Sequence, residues 1–206
     1  MNSKRLRFWM WAGAAALSGL LFRVWVVRHL TLVVGDSLIY GDIAKNLLQH
    51  RVYGLSQGST ARDQFGISPT LIRLPGYPLF LATCFRLFGM EHYKAVLYTQ
   101  GVFDLLTCWL ASALARRLFG SRAALAVLWL AALCPFTASY VGTALAETLV
   151  LATIALALYS FAQWRDFVLV RVAGKRGRAD VVFHMLRNTD VETGQQSGIF
   201  KEAIAV

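Results

Sequence analysis

Four long apolar runs, at 8–27, 93–114, 123–134 and 141–164, constrain what this chain can fold into more than any other feature. A helix needs about 20 apolar residues to cross a hydrocarbon core of about 30 Å. Three of the runs meet that length, and the run at 123–134 meets it when extended to 121–139 with its ends at the interface. The composition agrees: 57% of the residues are hydrophobic and 16% charged, outside the range of ordinary soluble domains. The expected fold is an all-α, polytopic membrane bundle of about four transmembrane helices, with short interfacial helices in the first outer loop.

The basic residues set the expected orientation. Lys4, Arg5 and Arg7 precede the first run, Arg116, Arg117 and Arg122 lie between the second and third, and Arg165, Arg171, Lys175, Arg176 and Arg178 follow the last. Basic loops stay on the cytoplasmic side, and an even number of crossings joins each pair of clusters. Spans are therefore expected at about 8–27, 93–115, 121–139 and 141–164, with both chain ends cytoplasmic and an outer loop at 28–92. A polar cytoplasmic tail, disordered or non-native, is expected at 166–206. The net charge of +10 is spread over these clusters instead of forming one stripe, which argues against a nucleic-acid partner. The first run continues past Ala14-Ala15-Ala16 to Val27, too long for a cleaved signal peptide. Cys84, Cys108 and Cys134 stand apart in apolar surroundings, and the spacing of His29, His50 and His92 matches no metal motif. The sequence supports no divalent metal and no certain cofactor.

The outer loop is long enough to require a structure or function of its own. Residues 36–49 carry apolar side chains at Leu38, Ile39, Ile43, Leu47 and Leu48 at helical spacing. Residues 51–68, rich in Gly, Ser and Thr, read as a loop, and 79–89 reads as a short interfacial or re-entrant helix behind Pro75 and Pro78.

Two readings stand for Asp36: a helix N-cap, or a base at the outer mouth of the first span. Tyr40, four residues on, shares its helix face, whereas Asp42 reads as a solvated residue. Arg73 is either an interfacial cation with a snorkelling stem or a guanidinium fork for a lipid-linked phosphate; Arg62 and Lys94 are weaker candidates. Asp104 and Glu147 lie inside expected spans, where a charge costs about 2.5–3.5 kcal/mol on insertion scales. They either pair within the bundle or serve a substrate path.

Several motifs in order carry a family resemblance. Asp36-Ser37-x-x-Tyr40-x-x-Ile43-Ala44-x-x-Leu47-Leu48 follows the first span, Arg73-x-Pro75-Gly76-Tyr77-Pro78-Leu79-Phe80-Leu81-Ala82 follows the loop, and Leu114-Ala115-Arg116-Arg117-Leu118-Phe119-Gly120 ends the second span. Over about 8–165 the chain resembles the N-terminal part of the C-type, polyprenol-phosphate-dependent glycosyltransferases, in the branch that holds protein mannosyltransferases and lipid A aminoarabinose transferases. The resemblance implies sugar transfer from a polyprenyl-phosphate carrier to a lipid, glycan or protein acceptor on the outer face of a bacterial inner membrane. It implies Asp36 as catalytic base, with Arg73, Tyr40 and Glu147 as substrate-binding residues. Relatives with an acidic residue before the basic one have Ile72 here, which weakens a metal-assisted version. Members of the family are longer, so a truncated transferase, inactive alone or completed by a second chain, is expected. A non-catalytic membrane subunit or orphan fragment is the alternative, and a small transporter is the weaker one.

Overall fold

The computed structural model describes residues 3–56, 66–168 and 171. The candidate Arg62 and the expected tail beyond 171 lie outside them. The chain divides into two compact units, 1–159 and 160–206. The first holds α1 (Ser3–His29), α2 (Asp36–His50), β1 (Gly54–Leu55), β2 (Ser68–Pro69), α3 (Gly76–Phe88), α4 (Tyr93–Phe119), α5 (Ser121–Ala132) and α6 (Pro135–Val141). A seventh helix, α7 (Glu147–Val168), runs from the first unit into the second. The fold is an all-α membrane helical bundle.

Helices α1 and α7 are long and apolar enough to cross a membrane, and α5 with α6 forms a third candidate, bent by 51°. The expected second span, α4, has the length, at 27 residues, but not the hydropathy. The reason is that α4 carries Gln100, Asp104 and Ser112, all buried against protein, so its mean hydropathy understates how apolar its outer face is. The expected fourth span begins at Glu147 instead of 141, because Pro135 restarts a helix at its first position and carries it to Val141. Gly120, with φ of 87°, makes the tight reversal between α4 and α5, a conformation L side chains rarely adopt.

Polar side chains tie the helices together at one end. Gln100, fully buried on α4, accepts a 2.8 Å hydrogen bond from the Tyr77 hydroxyl on α3. Its amide nitrogen donates to the carbonyls of Thr143 at 3.2 Å and Leu145 at 3.3 Å in the α6–α7 turn. The Leu32 N–H donates to the Gly142 carbonyl at 3.0 Å, so the exit of α1 and the α6–α7 turn meet at this end. Burial, and then Cys84, Glu147 and Tyr40 nearby, pushes the Tyr77 phenol up from its ordinary value, which keeps it a donor. Tyr77→Phe should lower stability by about 1 kcal/mol through the orphaned Gln100 oxygen. Thermal unfolding in detergent followed by circular dichroism checks this, and an unchanged midpoint would deny the bond any weight.

The helix α2 appears where the apolar spacing predicts it, but it presents another face. Ser37, Gly41 and Ala44 are buried, whereas Leu38 is exposed. A methyl at Gly41 would overlap the Tyr93 hydroxyl, so this small-residue stripe lets α2 approach α4 closely. Ala44 joins Tyr77, Leu81, Phe85 and Val96 in one apolar cluster, with Tyr40 and Leu47 against its edge. That cluster, built from α2, α3 and α4, positions the residues between α1 and α4.

Candidate functional site

Asp36 is the first residue of α2, and the cap position belongs to Gly35. The backbone carbonyls of Val34 and Gly35 take the first free N–H groups of the helix, those of Ser37 and Leu38. The N-cap reading of Asp36 is thereby corrected: the cap is Gly35, and the Asp36 carboxylate instead accepts from the Arg73 guanidinium at 2.5 Å.

Arg73 is held from several sides. The Tyr53 hydroxyl donates to its carbonyl at 2.8 Å. Burial, followed by the nearby Tyr40, raises the Tyr53 phenol, so it stays a donor. The Arg73 guanidinium lies 5.8 Å from the centre of the Tyr40 ring, within cation–π range. Tyr40 in turn meets Tyr77 edge to face, with centroids 4.9 Å apart. Asp36 is 49% and Arg73 30% exposed, so the pair can be reached from outside. The buried Nε of Arg73 has no hydrogen-bond partner among the described residues, which leaves a donor of the fork free. Leu71, Ile72 and Leu74 around it are all strongly exposed. An apolar tip carrying a cation suits a lipid surface.

Asp42 has a different task from the solvated one expected of it. It accepts from the Ser56 N–H at 2.7 Å and from the Ser56 hydroxyl at 2.8 Å, and Asn46 donates to the Gly54 carbonyl at 2.9 Å. Together they fasten β1 to α2, and the antiparallel pairing of β1 with β2 begins the chain's return toward Arg73. Asp42→Asn should cost about 1 kcal/mol of stability through weakened charge-assisted bonds. Proteolytic sensitivity near Ser56 measures it.

Glu147 lies near Tyr77 but, among the described residues, is not bonded to this group. It lines an apolar hollow of about 460 Å³ with Phe136, Tyr140, Val150 and Leu151. Among the described residues no hydrogen bond or ion pair links it to Asp36, Arg73 or Tyr40. Asp104 is paired, but with a residue the sequence reading overlooked. Arg23, buried within α1, donates from Nε to its carboxylate at 2.7 Å. The signal was a lone cation in an apolar run, which requires a buried acid elsewhere. Among the described residues no group of three or more His, Cys, Asp or Glu is arranged to hold a metal ion.

An acid and a guanidinium paired beside a lipid-suited tip, in a bundle of this kind, bring the known families into view. Residues 69–169 match the family model of the dolichyl-phosphate-mannose-protein mannosyltransferases. The chain is similar to that family over this stretch. The stretch covers just under half of the 206 residues. No curated protein and no solved structure matches the chain. The match to the mannosyltransferase family includes Arg73 and Glu147, and Asp36 and Tyr40 precede it. It points to an integral membrane glycosyltransferase of the mannosyltransferase kind.

Proposed function

We propose that this chain forms part of a membrane glycosyltransferase moving a sugar from a polyprenyl-phosphate carrier to an acceptor on the outer face. The observation that carries the reading is the Asp36–Arg73 pair beside the exposed apolar tip at Leu71, Ile72 and Leu74. In the resting chain the carboxylate and the guanidinium satisfy one another. A carrier phosphate entering along the lipid surface would compete for the Arg73 fork, whose Nε already has a hydrogen bond to give. Asp36, released from that contact, would take the acceptor proton as the acceptor oxygen attacks the anomeric carbon. The carrier phosphate would leave with its developing charge facing Arg73. Tyr40 would hold the guanidinium plane in place.

The hollow beside Glu147 is apolar and open, which suits part of a polyprenyl tail. Glu147 is exposed there, and none of the residues lining the hollow is basic. On this proposal a second chain would complete the carrier groove, and the chain alone would not turn over. The deciding assay offers membranes holding the complete enzyme a polyprenyl-phosphate sugar and, separately, a nucleotide sugar. Transfer from the first alone supports the reading, and transfer from the second alone sinks it.

The same proposal puts 28–92 outside, in a bacterial inner membrane, with the chain start inside. The orientation is supported by Arg7, Arg116 and Arg122, which border one groove at the end where α1 starts, α4 ends and α5 starts. Thr70→Cys should therefore react with a membrane-impermeant thiol reagent on intact spheroplasts, above the background of the parent chain. Labelling only after the membrane is opened would reverse the topology.

A further inference from the structure

The groove at the basic end of the bundle is remote in the fold from the Asp36–Arg73 site, and the mechanism above does not use it. It encloses about 620 Å³ between the start of α1, the last turn of α4 and the first turn of α5. Arg7, Arg116 and Arg122 border it together with Trp9 and Trp11, and no acidic residue does. All three arginines are exposed, and none forms an ion pair among the described residues. Three like charges drawn together without a carboxylate repel one another, an arrangement that an anion relieves. Arg116 is also preorganised: its guanidinium lies 5.2 Å from the centre of the Phe8 ring.

A second hollow, of about 490 Å³, shares Phe8, Trp9 and Arg116 with the groove; beyond them Trp109, Leu128 and two alanines line it, with Ser112 and with Arg117 stacked over Tyr159 at its edge. The cationic groove thus continues into an apolar one. A free phosphate would use only the first, whereas a phospholipid would use both. Trp9 and Trp11, both more than half exposed, have the amphipathic rings favoured at the depth of lipid headgroups.

We propose that this groove binds the phosphodiester headgroup of an anionic membrane phospholipid, with Arg7, Arg116 and Arg122 on the phosphate and the adjoining hollow receiving acyl chain. The site is independent of the transferase reading and would stand if that reading failed. Its occupant would brace the junction of α1, α4 and α5 at the membrane surface.

The test is native mass spectrometry of the full chain in neutral detergent, titrated separately with phosphatidylglycerol and phosphatidylcholine of the same acyl chains. Phosphatidylglycerol should bind more tightly. Arg116→Gln and Arg122→Gln should each weaken it about fivefold, and together about 25-fold, the scale for a cation near an anionic surface. Arg28→Gln removes the same charge outside the groove and should leave binding unchanged. Should Arg116→Gln lose helicity, Arg122→Gln alone decides. Equal binding of the two lipids overturns the proposal, as does an equal loss in Arg28→Gln, which would mean diffuse attraction. Displacement of the phosphatidylglycerol by millimolar inorganic phosphate also overturns it, since that marks a site for the free anion.

Discussion

Asp36→Asn should abolish sugar transfer while leaving the protein folded, and the two magnitudes involved are far enough apart to tell. A positioned general base contributes about 10²–10⁴-fold to rate. Against this, the structural cost of the substitution is small. The Asp36–Arg73 pair is partly exposed, and pairs of that kind contribute about 0–1 kcal/mol. An acid in the first turn adds a further 0.3–1 kcal/mol or so through the helix dipole. Asn keeps an oxygen that can accept from Arg73 and a side chain of the same size. The variant should therefore bind the carrier, retain its helicity, and lose turnover by two orders of magnitude or more in membranes holding the complete enzyme. Asp42→Asn reverses the pattern: weaker fastening of β1, with turnover per folded molecule retained. Near-normal transfer by Asp36→Asn together with a dead Asp42→Asn would mean that the base had been assigned to the wrong carboxylate.

Much of this arrangement was legible before any coordinates. Apolar run length located α1 and α7, helical spacing located α2, and a short apolar segment behind Pro75 and Pro78 located α3, since burial of an apolar face in lipid or against protein is the dominant demand on such segments. What escaped was the part set by polar atoms meeting across long separations. Helical spacing cannot say which face of α2 turns inward, because Ser37, Gly41 and Ala44 are buried for their smallness, not their hydrophobicity. It could not show that Asp42 reaches Ser56, fourteen residues away, in a loop whose composition suggested no order. Gln100 looks unremarkable in sequence, and its position among the carbonyls of the α6–α7 turn exists only once α4 and α6 are packed. At the site, the resemblance named Asp36, Arg73, Tyr40 and Glu147, and their spacing along the chain did not reveal that the first three meet while Glu147 does not. A contact between residues 36 and 73 depends on the intervening strands and on Tyr53, not on any local period.

The largest stability effect is expected at Arg23 and Asp104, beside the break before Pro135. Proline has no N–H, so the carbonyl of Ala131, four residues earlier, loses the helical partner it would otherwise have. The helix stops at Ala132, and the resulting break lies inside an expected span, where water does not replace missing donors. The Cys134 N–H still reaches the Ala131 carbonyl at 3.3 Å, and Arg23 supplies the rest from α1: its guanidinium adds a bond to the Ala131 carbonyl at 3.1 Å and donates to the Ala132 carbonyl. Bringing a guanidinium to that depth requires a counter-charge, which Asp104 provides from α4 at 2.6 Å. The break before Pro135 and the two buried charges on α1 and α4 thus form one network. Removing either partner leaves the other charged and buried, a loss of about 3–5 kcal/mol, against total stabilities of about 5–15 kcal/mol for folded domains. Arg23→Ala and Asp104→Ala should each fail to yield folded protein, or unfold at much lower denaturant. The double replacement Arg23→Met with Asp104→Leu should recover part of the loss, because no charge is stranded. It should not recover all of it, because the Ala132 carbonyl then lacks its donor and the Ala131 carbonyl keeps only the Cys134 N–H. Adding Pro135→Ala to the double variant restores the N–H and should bring stability close to the parent's. Equilibrium unfolding of the four variants in mixed micelles measures these differences. A double variant no better than the singles would show that the guanidinium is there for the broken helix and not for Asp104.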